Sequence, residues 1–291
     1  MYNYYQKTKH HMNDFIIRKL NRDEMKTAIA WADKEGWNPG VHDEECFYNA
    51  DPNGFFALLV NDKIVSIISA VKYDNNYGFI GFYIVDPEHR GKGYGIAIWQ
   101  KAMEYLNGKV IGLDGVPEQV ENYKKSGFVY AHRNITYKGI SKTTSVVKQL
   151  KDLNSNDFSM IKNFDIKYMP DTRDSFLKCW LSQDDSHIIG IEENGKLRAY
   201  GKIRKCYEGY KIGPVFAETD ELASSIFYGL QNKIPETSEF TIDIPEGNEF
   251  SLNMAKSCSM EYFFETARMY KGEIKKLPIN NIYGITTYEL G

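Results

Sequence analysis

The chain has 291 residues, 42% of them hydrophobic and 26% charged, with a formal net charge of −3. This is the make-up of a soluble globular protein with room for one large domain or two ordinary ones, and its slight acidity argues against general nucleic-acid binding, which calls for a basic surplus. No apolar run is long enough to span a bilayer and the polar opening MYNYYQKTKHHMNDF lacks the apolar centre of a secretory signal, so the expectation is a cytoplasmic protein without membrane or nucleic-acid partners.

Regular patterning begins near Asp14, which leaves residues 1–13 as a loose extension. FIIRKL reads as a strand. A helix follows, with Asn21 as N-cap, Met25, Ile29 and Ala32 at helical spacing and Gly36 as its stop. The turn-rich GWNPGVHDEECFYNADPNG holds a short helix around Asp43 to Tyr48. FFALLV and IVSIISAVKY flank Asn61-Asp62-Lys63 as a hairpin, and GFIGFYIV is a further strand. Ile98, Trp99, Ala102 and Leu106 then fall on one helical face. KVIGLDGV is a short strand, Pro117 to Ser126 a helix, and FVYAHRNITYKG a long strand. The succession is that of a mixed α/β sheet.

A polar connection, ISKTTSVVKQLKDLNSND, opens a second half that echoes the first. ENGKLRAYGKIRKCYEGYKIGPVF parallels VNDKIVSIISAVKYDNNYGFIGFYIV, and EYFFETARMYKG parallels GFVYAHRNITYKG. Gly213 matches Gly81, and Gly272 matches Gly139, at a common offset of 132 to 133 positions. Two separate matches at one offset favour tandem duplication, with units at residues 1–140 and 141–291. The four cysteines, Cys46, Cys179, Cys206 and Cys258, lie far apart with no C-x-x-C pair, and read as idle thiols of a reducing compartment.

The chemistry is concentrated in VDPEHRGKGYG, between an apolar strand and a helix. Helix first-turn N–H groups have no partner within the helix, and the aligned peptide dipoles add positive charge there. Glycines let the backbone come close to an anion, while Arg90 and Lys92 add cationic donors. The expected guest is a pyrophosphate. The dinucleotide fingerprint G-x-G-x-x-G fails at Ile96 and Ile98, and no Gly-Lys-Ser/Thr follows for a P-loop. What fits is R-x-x-G-x-G, from Arg90 through Gly91, Lys92, Gly93 and Tyr94 to Gly95.

That turn, with the later NYKKSGFVYAHRNITYKG, resembles the GNAT superfamily of CoA-dependent N-acyltransferases over Phe15 to Gly139, and more faintly in the second half. With GLDGVPEQVENYKKSGF and GWNPG it is similar to a subgroup carrying a second, GNAT-like C-terminal domain. The resemblance implies a GNAT-like fold in tandem, a transferase acting on acetyl-CoA and an amine, and pyrophosphate binding by residues 90–95. It implies that Ile84 and Val85 offer backbone hydrogen bonds to the pantetheine arm, in the manner of an added strand, and that the N–H near Val85 polarises the thioester. Tyr123, shortly before Gly127-Phe128, matches the residue that stabilises or protonates the leaving thiolate; a thiol titrates at about 8.5 and a tyrosine at about 10.

Two departures stand out. Gly81 occupies the place where many members carry an acid, and Val116 the place of a cofactor-contacting asparagine. The general base is therefore open among His42, Asp43, Glu44, Asp51 and a water chain. Trp37, Asn38 and Asp43 are candidate acceptor-binding residues. The second half has no phosphate turn: Glu218, Asp220 and Glu221 would repel a pyrophosphate, and Lys256 stands where Tyr123 has its counterpart. It is expected to be a non-catalytic partner domain that shapes the acceptor pocket or replaces a second subunit.

The six histidines show no metal-binding spacing, and there is no G-x-S-x-G elbow, so no metal is expected. The acceptor is a small-molecule or peptide amine, and the chain a monomer or homodimer. The alternative is a non-catalytic acyl-CoA sensor or interaction module.

Overall fold

The computed structural model describes residues 15–73, 75–146, 148–273 and 276–291; the extension expected at residues 1–13 lies outside them. The first half comprises β1 (Phe15–Lys19), α1 (Met25–Lys34), α2 (Asp43–Ala50), β2 (Phe55–Val60), β3 (Lys63–Lys72), β4 (Tyr77–Val85), α3 (Tyr94–Tyr105), β5 (Val110–Gly115), α4 (Val120–Lys125) and β6 (Val129–Ile140). The second comprises β7 (Lys151–Asp152), α5 (Phe158–Asp165), α6 (Asp174–Trp180), β8 (Ser186–Glu193), β9 (Lys196–Lys205), β10 (Tyr210–Ala217), α7 (Asp220–Gln231), β11 (Glu239–Pro245), α8 (Glu249–Ser257), β12 (Glu261–Lys271) and β13 (Ile282–Gly284). Ahead of α1, Asn21 Oδ1 accepts from Glu24 N at 3.0 Å and Glu24 Oε2 from Asn21 N at 2.9 Å. Asn21 thus closes a reciprocal turn one step before the helix begins.

The strands form one mixed sheet in the order β1-β2-β3-β4-β5-β12-β6-β11-β10-β9-β8-β7, with β13 beside β10. The last long strands of the two halves have changed places. β12 pairs with β5, Ala267 facing Gly115, while β6 pairs with β11, Ile244 facing Ile135. The exchanged strands also pair with each other, Arg133 facing Ala267 and Asn134 facing Thr266. A shift of 133 positions, the spacing that also separates Cys46 from Cys179, turns each of these two pairs into the other. The contact is isologous, as between the subunits of a two-fold dimer.

Helices cover both faces. Ile98, Trp99, Ala102 and Leu106 are buried beneath α3, and Ala267 and Met269 of the exchanged β12 complete that core. On the opposite face Phe47, Phe55 and Phe82 pack with Tyr270, also of β12. Met269 is wholly buried, and burial of a side chain of that size is worth about 1.5–3 kcal/mol. The exchanged strand therefore belongs to the first half's core by energy as well as by hydrogen bonds.

α2 and α6 clamp the halves together. Cys46 and Cys179 form a disulfide with Cα atoms 5.1 Å apart. This corrects the idle-thiol reading for two of the four cysteines and removes them as an argument for a reducing compartment. Proximity across 133 residues leaves no trace in local spacing. Asp43 accepts Arg204 Nε at 2.9 Å and Nη2 at 3.1 Å, with Gln183 Nε2 at 3.0 Å and Gly40 N at 2.8 Å. Burial opposes its charge, but Arg204 and these bonds outweigh it and hold its carboxyl below the usual range. No helix among the described residues is long and apolar enough to cross a membrane.

Candidate active site

β4 and β5 run parallel and pair only from Tyr77 to Ile80, where Ile80 faces Leu113. Beyond that point they part. The cause is a bulge in β4: its register against β3 shifts between Ile67↔Ile84 and Ser69↔Gly81, and Phe82 adopts φ +46°. A bulge bends its strand and ends local pairing. Ser69 Oγ accepts from Gly81 N at 3.0 Å on the β3 side.

Within the gap, Ser66 Oγ donates to Ile84 O at 3.0 Å and Asp86 N donates to Val65 O. The backbone of Ile84 is therefore engaged with β3. Strand alternation turns the groups of Val85 the other way. Arg90 Nε donates to Val85 O at 2.9 Å, which leaves the Val85 N–H as the donor for a ligand. Of the two residues expected to hydrogen-bond a pantetheine arm, Val85 has the right aspect and Ile84 contributes its buried side chain.

The turn after β4 carries Gly91 at φ +76° and Gly93 at φ +86°, with open space where a Cβ would project at either. Gly93 precedes α3 without a side-chain cap, so the first-turn N–H groups face outward. Arg90 is held by Glu35 Oε1 at 2.6 Å, and Lys92 is exposed. Gly95 packs close under Tyr83, where a Cβ would lie 2.8 Å from its hydroxyl. The ring of Tyr94 is buried against Phe15 and His89; what it can present to an anion is backbone.

A cavity of about 440 Å³ fills the gap between the strands, well sized for a small-molecule site. Val85 and Arg90 line it, as does Tyr123 from α4. Tyr123 packs against Trp99, ring centres 5.5 Å apart, and edge-on against Phe128. Gly115 makes room for it, since a Cβ there would lie 2.2 Å from the ring. Burial, with a smaller contribution from Tyr83, raises the Tyr123 phenol above its ordinary value and keeps it protonated. Val116 also lines the cavity but brings no polar side-chain atom.

Of the acceptor-side candidates, Trp37 lines this cavity; Asn38 and Asp43 do not. Asn38 is a clasp, with Nδ2 donating to Glu208 O at 2.7 Å and Oδ1 accepting from Glu208 N at 2.9 Å. Asp43 is spent on Arg204. The other proposed bases lie outside as well: His42 pairs with Asp185 at 2.8 Å, and Asp51 accepts Tyr105, Lys72 N and Asn53 N. The second half contributes Phe264, Thr266, Tyr288 and Glu289 to the lining instead. Their distance along the chain hid them, and the one signal in the sequence is the bare Gly81. A Cβ there would lie 2.2 Å from the Glu289 carbonyl oxygen, so the glycine is what admits the last segment.

The counterpart gap in the second half is closed. β10 and β11 pair only from Tyr210 to Ile212, and β13 then fills the space, Gly284 facing Val215 and Ile282 facing Phe216.

Two family models match the chain: an acetyltransferase (GNAT) family model over residues 18–128 and an acetyltransferase (GNAT) domain model over residues 161–284. A holothin acyltransferase from Pseudoalteromonas sp. (strain SANK 73390) is 32% identical over 270 residues, 92% of both chains. An uncharacterized N-acetyltransferase, YitH, of Bacillus subtilis is 24% identical over 78% of this chain and 81% of its own. Among solved structures, a putative acetyltransferase from Pyrococcus horikoshii superimposes with a TM-score of 0.83 at 21% identity, covering 99% of this chain and all of its own. A tandem GNAT protein of the clavulanic acid biosynthesis pathway gives 0.63 at 10% identity, over 88% and 98%. Motif, cavity and relatives converge: this chain belongs to the GNAT acetyltransferase family, and carries two GNAT domains in tandem.

Proposed function

We propose that the first half binds acetyl-CoA and transfers its acetyl group directly to the nitrogen of a small-molecule or peptide amine. The observation that carries this reading is the open gap between β4 and β5, with a glycine turn at its mouth and a protonated tyrosine on its wall, set against a sister gap closed by β13.

In this reading the turn from Arg90 to Gly95 receives the pyrophosphate. Val85 N–H donates to the thioester carbonyl, and one such donor is worth roughly 10²–10³ in rate. The amine nitrogen forms the new C–N bond as the C–S bond breaks. Tyr123 hydrogen-bonds the departing thiolate and can protonate it, while the amine's surplus proton leaves to a base. The second half is the built-in partner that walls the acceptor side.

Calorimetric titration with acetyl-CoA, alongside NAD as control, tests the reading. Saturation at one site per chain with no NAD binding is expected. An absence of acetyl-CoA binding would overturn it.

A further inference from the structure

Three acidic residues line the cavity, and two of them have their carboxylates spent. Glu35 is tied to Arg90 at 2.6 Å. Asp114 grips Arg268 through both oxygens, at 2.8 and 2.6 Å, and accepts Asn134 Nδ2 at 2.8 Å. Glu289 is 5% exposed and forms no ion pair among the described residues. Its segment is pinned on both sides: Tyr73 donates to Leu290 O at 2.5 Å, Leu290 N to Thr287 Oγ1 at 3.0 Å, and the hydroxyls of Tyr288 and Thr136 are 2.8 Å apart. Gly81 clears the way for its backbone.

We propose that Glu289, supplied by the second half, is the general base of the first half's reaction. An alkylammonium titrates at about 10, as lysine does, so near neutrality the acceptor arrives protonated and must shed a proton to attack. The Glu289 carboxylate takes that proton from nitrogen, directly or through one water, and returns it to solvent after the product leaves; the second proton, shed by nitrogen as the C–N bond forms and the C–S bond breaks, ends on the CoA thiol, with Tyr123 as the donor that is restored. The charged groups facing Glu289 are Lys211, Arg204 and Asp43. Burial raises its pKa, Asp43 adds to this, and Lys211 and Arg204 oppose it; burial prevails, which places the carboxyl above the ordinary glutamate range. A base works best when its pKa approaches the working pH. The proposal rests on the acyl-transfer reading above.

The test uses the full chain and two acceptor probes at saturating acetyl-CoA: benzylamine, an ammonium ion near neutral pH, and hydroxylamine, which is already neutral there. Acetyl-CoA binding is measured first by calorimetry; its absence in the unmodified chain would overturn the acyl-transfer reading, independently of any result on Glu289. For Glu289→Gln we expect unchanged acetyl-CoA affinity and a loss of about 10²-fold or more in kcat/KM for benzylamine. The loss for hydroxylamine should be only a few-fold. The step in the benzylamine profile that follows ionisation of Glu289 should vanish in the variant, leaving only the rise that follows deprotonation of benzylamine itself. Glu289→Ala should regain rate with added formate. Equal losses for both probes would make Glu289 a structural residue, and undiminished benzylamine turnover would remove it from the mechanism.

Discussion

Between β4 and α3 the chain turns through Gly91 and Gly93; between β10 and α7 the matching turn holds Glu218, Thr219 and Asp220. The first turn leaves its helix N-terminus open. The second satisfies itself: Thr219 Oγ1 accepts from Leu222 N at 3.4 Å, Asp220 accepts Tyr283 at 2.7 Å, and Glu218 is held by Arg198 at 2.8 Å and Lys167 at 3.2 Å. Acidic groups there complement the helix dipole and leave no place for a phosphate. The gaps beside the turns differ in the same sense. At the repeat offset, Val215 and Phe216, which β13 covers, correspond to Tyr83 and Ile84 beside the open cavity. Two copies of one framework thus differ in how open this corner is, through a few turn residues and one inserted strand.

The contrast can be broken in graded steps. The largest effect is expected for Tyr123→Phe, which should lower kcat by about 10²–10⁴ with little change in acetyl-CoA affinity; Lys256→Ala, at the corresponding place, should change neither. Steady-state kinetics beside calorimetry separates the two variants, and full turnover by Tyr123→Phe would remove the phenol from the mechanism. Next comes the clamp between the halves: Asp43→Ala leaves Arg204 buried and unpaired and should cost about 3–5 kcal/mol of stability, read by urea unfolding. Gly93→Val should weaken acetyl-CoA binding about 10–100-fold, the worth of a lost charge-assisted hydrogen bond, because its side chain would project into the mouth. Thr219→Ala in the sister turn should instead cost about 1 kcal/mol of stability and leave binding intact.

The smallest effect separates the exchanged strands. His132 of β6 faces Arg268 of β12. Burial, then the charge of Arg268, push its pKa down to about 4. An unfolded histidine titrates near 6.5, so below that pH the unfolded chain binds more protons than the folded one. Stability should fall as pH drops from about 6.5 toward 4, and His132→Gln should flatten that slope in thermal melts. An unchanged slope would place the acid sensitivity elsewhere.

The elements of the first half were legible because each is encoded locally: continuous apolar runs in β2 and β3 on either side of a turn, a helical face in α3, turn chemistry around Gly91 and Gly93. The open glycine turn ahead of α3 and the placing of Tyr123 on α4 were legible for the same reason. What no local pattern could show is which strand lies beside β5. β6 and β12 have similar sequences, either could satisfy that edge, and the choice is made by packing of Met269 and Tyr270 in the first half's cores. Everything that depends on the exchange was equally hidden, including Phe264 and Thr266 in the cavity lining. Asp43 misled in an instructive way, because an acidic residue in a turn-rich loop reads as exposed until Arg204, 161 positions later, is found against it.

The strand exchange also governs the order in which the protein can come to life. A chain made at roughly 5–20 residues per second exposes β5 many seconds before β12 leaves the ribosome. Until then the cavity lacks the wall that carries Phe264, Thr266, Tyr288 and Glu289, and the free edge of β5 is open to other strands. A half-made or prematurely ended chain can present the glycine turn but no finished cavity. Completion of the polypeptide is in this sense a licence for chemistry, and the nascent first half is a natural client for a chaperone that shields strand edges.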